Sequence, residues 1–320
     1  MKHNKNILIA NWAGVNSGDD AIFSALLNIV LSKISPQAKI YVLADNDKLL
    51  KAKYRINDSI RIFDFYQFQK LRKIAHILKA SDLLIYGGGD IINGNLQSMS
   101  FLALALILGL PAMCCGVGVV PIKSSLKKFL TRSVLNQVDL ITVRDEESKK
   151  RLELLGVIKP EVVVTSDLAF LLSPTLNRKN LLENMCVKVN NCNLKIGMSI
   201  RPFGPMYNFY GVWNNNILIN NMADLCDHII QKYNASIIFI PMVLKQRCKE
   251  YHTNLEADDE LSDRIVRKMK NKKSTIVIKD DYAPEDILAL LSDMRLIIGA
   301  RLHSLVLATR VGVPVIAIEY

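Results

Sequence analysis

Asn6-Ile7-Leu8-Ile9-Ala10 runs straight into Asn11-Trp12-Ala13-Gly14-Val15-Asn16-Ser17-Gly18-Asp19-Asp20, and a helical pattern beginning about Ala21 follows. A short apolar run, a loop rich in glycine and asparagine and then a helix make the opening half of a βαβ unit. Backbone N–H groups in such a loop approach a ligand closely, and the helix start favours anions. The same residues also suit an ordinary capped turn, because Asp19 and Asp20 complement a helix's first turn. The loop is neither GxGxxG nor a P-loop, since Gly18 is followed by two aspartates and no lysine.

The pattern repeats outward along the chain. Runs at Ile40–Leu43, Ile60–Phe63, Leu83–Tyr86, Ala112–Val117, Leu140–Val143 and Val162–Val164 alternate with helical stretches, which predicts parallel strands joined by helices. A polar, irregular stretch from Ser173 to Asn193 marks a boundary. Strand runs then resume at Lys195–Ile200, Ser236–Ile240, Thr275–Ile278, Leu296–Ile298 and Val313–Ile318. Pro284, Glu285 and Asp286 have the composition of a helix's first turn. The expected organisation is α/β: a Rossmann-like domain over 1–180 and a second over 190–320. The two would face one another across a ligand cleft in the GT-B-like manner. The chain ends at Tyr320 directly after a strand. A closing helix is therefore expected to be missing.

Composition narrows the partners. Forty-one Lys and Arg against 30 Asp and Glu leave a formal charge of +11, which favours anionic ligands. With no zinc-finger spacing, RNP-like strand or dense basic helix in view, nucleic acid is the least favoured anion. The six cysteines contain no CxxC pair and read as thiols of a reducing compartment. Met1–Asn6 leads into too short an apolar stretch for a signal peptide. Phe101 to Val120 is 20 residues without a charge, the length that spans a bilayer. Gly109, Pro111, Gly116 and Gly118 interrupt it, so a buried helix followed by a buried strand is expected. The protein is expected in the cytoplasm, with peripheral association at the inner membrane face left open.

Polar residues recur where strands end. Leu83–Tyr86 delivers Gly87-Gly88-Gly89-Asp90 into an expected loop, and three glycines imply a backbone passing close to a ligand or a neighbouring helix. Gly116-Val117-Gly118, Val143-Arg144-Asp145-Glu146-Glu147-Ser148 and Ser166-Asp167-Leu168-Ala169-Phe170 each follow a further strand. Arg144 reads either as a salt-bridge partner of a nearby acid or as a hand on an anionic donor, and Asp167 as a loop brace. In the second half, Ile200-Arg201-Pro202 and Gly299-Ala300-Arg301-Leu302-His303 again place arginines at strand ends. Arginine there suits a two-pronged grip on carboxylate or phosphate. Residues two apart on a helix point about 200° apart, so Arg301 is expected to precede the helix that carries His303.

Taken in order, Asn16–Asp20, Gly87–Asp90, Gly116–Gly118, Val143–Ser148, Ser166–Phe170 and Arg301–His303 resemble the motif series of the polysaccharide pyruvyl transferase family, across residues 7 to 320. The resemblance implies phosphoenolpyruvate as donor and a ketal-linked pyruvate on a cell-surface glycan as product; no cofactor and no metal-ligating residue is expected. It carries donor binding to Arg144, Arg201, Arg301 and Leu302, with the loop residues Asn16, Gly18, Gly88 and Gly89. It casts His303 as the acid and Asp90 as the base. The implied partners are phosphoenolpyruvate and a saccharide acceptor, free or lipid-linked. Two alternatives remain: a GT-B glycosyltransferase using a nucleotide sugar, and a catalytically silent binding or scaffold protein of polysaccharide assembly.

Overall fold

A computed structural model of the chain describes residues 5–11, 13–34, 36–44, 50, 60–64, 71–175, 194–203, 215–250 and 257–319. The chain divides into two compact units, Met1–Gly14 with Asp19–Leu171 and Val15–Gly18 with Leu172–Tyr320. Much of the polar stretch read as the boundary, residues 176–193, lies outside the described residues. The split itself follows Leu171. The short segment Val15–Gly18, read from sequence as part of the first domain, groups with the second because its backbone bonds there, as set out below.

The first unit is a seven-stranded parallel sheet of β1 (Asn6–Ala10), β2 (Lys39–Ala44), β3 (Ile60–Asp64), β4 (Leu83–Ile92), β5 (Ala112–Val119), β6 (Leu140–Val143) and β7 (Glu161–Val164). Their order is β3-β2-β1-β4-β5-β6-β7. The sheet reverses direction of growth between β1 and β4, where doubly wound folds place ligands. Ile7, Leu8, Ile9 and Ala10 are all buried, as a central parallel strand covered on both faces requires.

Helices α1 (Ser17–Ile29), α2 (Leu71–Ala80), α3 (Leu96–Ile107), α4 (Ser125–Leu135) and α5 (Glu146–Leu155) cross between strands. Side chains start three of them: Asn95 accepts from the Gln97 and Ser98 N–H groups, Ser124 from Lys127 and Asp145 from Ser148. The uncharged stretch 101–120 is divided between α3 and β5. Among the described residues no helix is long and apolar enough to cross a membrane.

Two local expectations change. The first helix starts at Ser17 rather than about Ala21. The Asn16 side chain accepts from Gly18 N at 2.9 Å and Asp20 accepts from Gly14 N at 2.7 Å, so both aspartates lie inside the first turn. Gly87–Asp90 is not a loop. Strand β4 continues through it to Ile92, pairing Gly87 with Cys115 and Gly89 with Val117 before the register shifts. Gly88 has φ +83°, and a Cβ there would sit 1.9 Å from Cγ2 of Ile22 on α1. What passes close to the glycine run is therefore a helix.

The second unit repeats the plan with β8 (Leu194–Ser199), β9 (Ala235–Phe239), β10 (Thr275–Val277), β11 (Leu296–Gly299) and β12 (Val315–Ala317), in the order β10-β9-β8-β11-β12. Its reversal lies between β8 and β11. Around the sheet run α6 (Asn215–Tyr233), α7 (Lys245–Glu250), α8 (Asp258–Lys268), α9 (Pro284–Leu291) and α10 (Leu302–Arg310). Pro284 opens α9 as expected, and Ile237, Phe239, Leu261 and Ile265 join strand and helix in one core. Cys114, Cys226 and Cys248 are buried and Cys115 is half-buried, none of them in a disulfide, while Cys186 and Cys192 lie outside the described residues.

Asp227, buried on α6, ties the chain leaving α8. Its carboxylate accepts from Lys270 N at 2.8 Å, Asn271 N at 2.8 Å and the Asn271 side chain at 3.0 Å. Burial pushes its pKa up, but these hydrogen bonds and the Lys270 charge outweigh it, so the carboxyl titrates below its ordinary value. A depressed folded pKa stabilises above the unfolded value of about 3.9, and that stability is lost as pH falls through the folded value. Asp227→Asn should therefore cost about 1–3 kcal/mol at neutral pH. In denaturant titrations the gap to the parent should narrow below about pH 4.

Candidate active site

Parallel pairing sends the carboxyl ends of β8 and β11 to the same edge of the second sheet. Gly299 pairs with Ser199, and Ala300 N donates to Ser199 O at 2.8 Å. Arg201 and Arg301 each stand two residues beyond that pair. They leave neighbouring strands at the same level, at the reversal of the sheet. Arg301 is the N-cap of α10, with φ −90° and ψ 120°, and Leu302 is its first helical residue. Arg301 thus precedes the helix, as expected, and Leu302 is partly exposed beside it.

Arg301 does not stand alone. Its Nε donates to Oδ2 of Asp258 at 2.9 Å and its Nη2 to Oδ1 at 2.5 Å, a two-pronged ion pair with a fully buried carboxylate. Asp258 Oδ2 also accepts from Met242 N and Val243 N, both at 3.1 Å, in the loop after β9. One carboxylate therefore joins the ends of β9 and β11. With Nε and Nη2 so engaged, Nη1 is the corner of Arg301 left to meet an anion.

The loop after β9 also holds Val15–Gly18. Ser17 N donates to Met242 O at 2.8 Å and Asn16 forms an antiparallel bridge with Val243. Arg247, only 1% exposed, pairs with Asp281 and donates to Val15 O at 3.2 Å. Gly18 lies directly against His303: a Cβ on Gly18 would be 2.3 Å from Nδ1 and 2.4 Å from Cγ. Glycine is required there because the imidazole occupies the space. Asn16, Gly18, Arg301, Leu302 and His303, far apart in sequence, meet in one unit, and Arg201 shares their sheet edge.

The other expected residues gather at the carboxyl ends of β4 to β7 in the first unit. Arg144 Nη2 donates to Asp90 Oδ1 at 2.7 Å, Nε pairs with Asp145 at 3.3 Å and Nη1 lies 3.8 Å from Asp167. One guanidinium among three carboxylates leaves an excess of negative charge. Of the two readings of Arg144, the salt bridge is the one formed. For Arg144 to hold an anionic donor, Asp90, the most exposed of the three acids, would have to give way. Burial raises the Asp145 pKa, yet the Ser148 hydrogen bonds and Arg144 outweigh it and lower it overall. Asp167 braces its loop by accepting from Ala169 N at 2.9 Å. Gly88 and Gly89 belong to this unit too, Gly88 packed under Ile22 as described and Gly89 facing Asp19.

Asp258 and Arg247 had no mark in the sequence, whereas Gly118 belongs to the Gly116–Gly118 motif, which lies inside β5 rather than after it. Asp258 and Arg247 sit in acidic and basic runs that resemble solvated helix faces, and only the fold buries them. Gly118 keeps open the space for the Asp90–Arg144 pair, since a Cβ there would be 2.3 Å from Asp90 Oδ1 and 2.9 Å from Arg144 Cζ.

Gly18→Ala separates the contact from helix propensity. In a helix, alanine for glycine gains up to about 1 kcal/mol, whereas overpacking a tight contact costs about 1–3 kcal/mol. With His303 behind Gly18, a net loss in chemical denaturation is expected, together with a shifted His303 imidazole resonance. A more stable variant with an unchanged imidazole resonance would remove the contact.

The family described as polysaccharide pyruvyl transferase matches residues 16–320. The amylovoran biosynthesis protein AmsJ of Erwinia amylovora is 24% identical over 366 residues, covering 99% of this chain and 83% of that protein. Among solved structures, the putative UDP-N-acetylglucosamine 2-epimerase of Listeria monocytogenes is similar at a TM-score of 0.66 and 14% identity, over 99% of this chain and 79% of its own. The ADP-heptose lipopolysaccharide heptosyltransferase II of E. coli is similar at 0.53 and 13%, over 98% and 84%. These two share the fold, GT-B-like α/β with two Rossmann-like units. By the extent of the family match, this chain belongs to the polysaccharide pyruvyl transferase family.

Proposed function

We propose that this chain moves a pyruvyl unit from phosphoenolpyruvate onto a sugar of a cell-surface polysaccharide and leaves it there as a ketal. Family membership supports the reaction class, and the observation that carries the donor is the pair Arg201 and Arg301 at adjacent strand ends, Arg301 capping the helix of His303. Phosphoenolpyruvate presents a carboxylate and a phosphate. Two guanidinium groups and the N–H groups of a helix's first turn match those charges.

The atoms balance in two steps. A sugar hydroxyl oxygen bonds to C2 of the donor, its proton leaves, and the C3 methylene takes a proton to become a methyl group. A second hydroxyl oxygen of the same sugar then bonds to C2 as the bond from C2 to the phosphate oxygen breaks; its proton goes to the departing phosphate, which leaves as inorganic phosphate while the ketal closes. Arg201 and Arg301 would hold the donor and neutralise the departing phosphate. His303 would protonate C3, from Nε2, because the Nδ1 edge of the ring is packed on Gly18. Asp90 would take the acceptor proton, with Arg144 fixing the direction of its carboxylate.

At about 100 times its dissociation constant, phosphoenolpyruvate should add roughly 2.7 kcal/mol of stability. UDP and GDP sugars and NAD should add none. Thermal stabilisation by a nucleotide sugar alone would instead favour a glycosyltransferase, and donor binding with no turnover a silent scaffold.

His303→Gln should keep donor affinity within a few fold while slowing turnover by about 10²–10⁴, the usual worth of general acid catalysis. Affinity, melting temperature and turnover are measured on the same preparation. Parental turnover in this variant removes His303 from the chemistry.

A further inference from the structure

Within residues 91–138 the only charged side chains are Lys123, Lys127, Lys128 and Arg132, and all four are exposed on or just before α4. Between them Leu126 is 63% exposed and Phe129 55%. These two are one helical turn apart and share a face, while Thr131 and Leu135 supply the buried side. Arg132 lies 5.7 Å from the Phe129 ring, which keeps its cation beside the apolar surface.

The surface continues onto the neighbouring helix. The lining of a groove of about 320 Å³ includes Ile122, Lys128, Glu147, Arg151, Leu154 and Leu155, and Leu154 at its rim is 88% exposed. Past the end of α5, Ile158 is 83% exposed, and its N–H donates to the Asn136 side chain that follows α4. One acid lies in the groove and one beside it. Glu147 is paired with Arg151, and Glu153 projects from α5.

We propose that this face of α4, with the rim of the α4/α5 groove, docks on an anionic lipid surface. An interfacial helix needs Leu or Phe to enter the headgroup layer and Lys or Arg to meet acidic headgroups, and α4 offers both: Leu126 and Phe129 on an outward stripe with Arg132 beside it, and Lys127 and Lys128 on its two flanks. Charge chooses the occupant: a run without a single carboxylate matches a negative surface, and the exposed apolar pair distinguishes lipid from a purely polar polyanion. Helix α4 follows β5, so its start lies at the sheet edge where Asp90 and Arg144 stand. Docking there would bring that edge to a lipid-borne substrate. The inference does not rest on the transfer chemistry.

Vesicle flotation of the full chain tests it, with phosphatidylglycerol-containing vesicles against pure phosphatidylcholine. Binding to the anionic vesicles alone is expected. At about 1 kcal/mol for each cation near the surface, Lys127→Ala with Lys128→Ala should weaken it roughly 30-fold. Leu126→Ser with Phe129→Ser should weaken it about tenfold or more. All four positions are exposed, so circular dichroism melts should match the parent, and transfer to a water-soluble acceptor should persist. The proposal fails if anionic vesicles do not bind. It fails if the serine pair leaves binding unchanged, which marks a polyanion site. It fails if the variants turn a dimer into a monomer in sedimentation while vesicles are ignored, which marks an interface between copies.

Discussion

The Asp258 carboxylate holds the second unit's site together. A fully buried charge is costly unless it is paired and hydrogen-bonded, and here the Arg301 fork and the Met242 and Val243 N–H groups meet that demand. Satisfying it fixes two strand ends at once. The β9 loop then receives Asn16 and Ser17, and the Arg301 cap sets where α10 begins. His303 sits one residue into that helix and finds Gly18 already in place. Breaking the pair from the arginine side would leave the carboxylate buried without its cation, an expected cost of about 3–5 kcal/mol. Local stability and the placement of His303 are therefore coupled at Arg301.

The two units use charge in opposite senses. At the carboxyl ends of β4 to β7, one arginine is surrounded by three acids, an arrangement suited to hydroxyl groups and protons rather than to a doubly anionic donor. At the corresponding edge of the second sheet two arginines leave adjacent strands, and one of them caps a helix whose N–H groups also favour anions. By charge alone, the second edge is the better match to an anion and the first to neutral hydroxyl groups. Both edges exist because the strands of each sheet run parallel, so their carboxyl ends all lie on the same side of that sheet.

Glycine serves three distinct purposes. Gly18 leaves room for an imidazole, Gly118 for an ion pair and Gly88 for an isoleucine of α1. Only the first two touch residues assigned to chemistry. A glycine run in the sequence thus indicates close approach without saying to what, which is why Gly87–Asp90 looked like a ligand loop and proved to be a bulged strand packed on a helix.

By itself the sequence determined the fold class. Apolar runs of strand length alternating with helical periodicity leave few arrangements other than parallel sheets, and nearly every strand falls where the pattern put it. It also determined the residue types at strand ends, because Arg144, Arg201, Arg301 and His303 follow apolar runs directly. Only the tertiary structure decided their company. Asp258 precedes Arg301 by 43 positions, Gly18 meets His303 from the other end of the chain, and Asp90 meets Arg144 across 54. Strand periodicity is a local property of neighbouring residues, whereas partnership of charges depends on register between strands and on which loops share an edge, and those are set by the packing of the whole sheet.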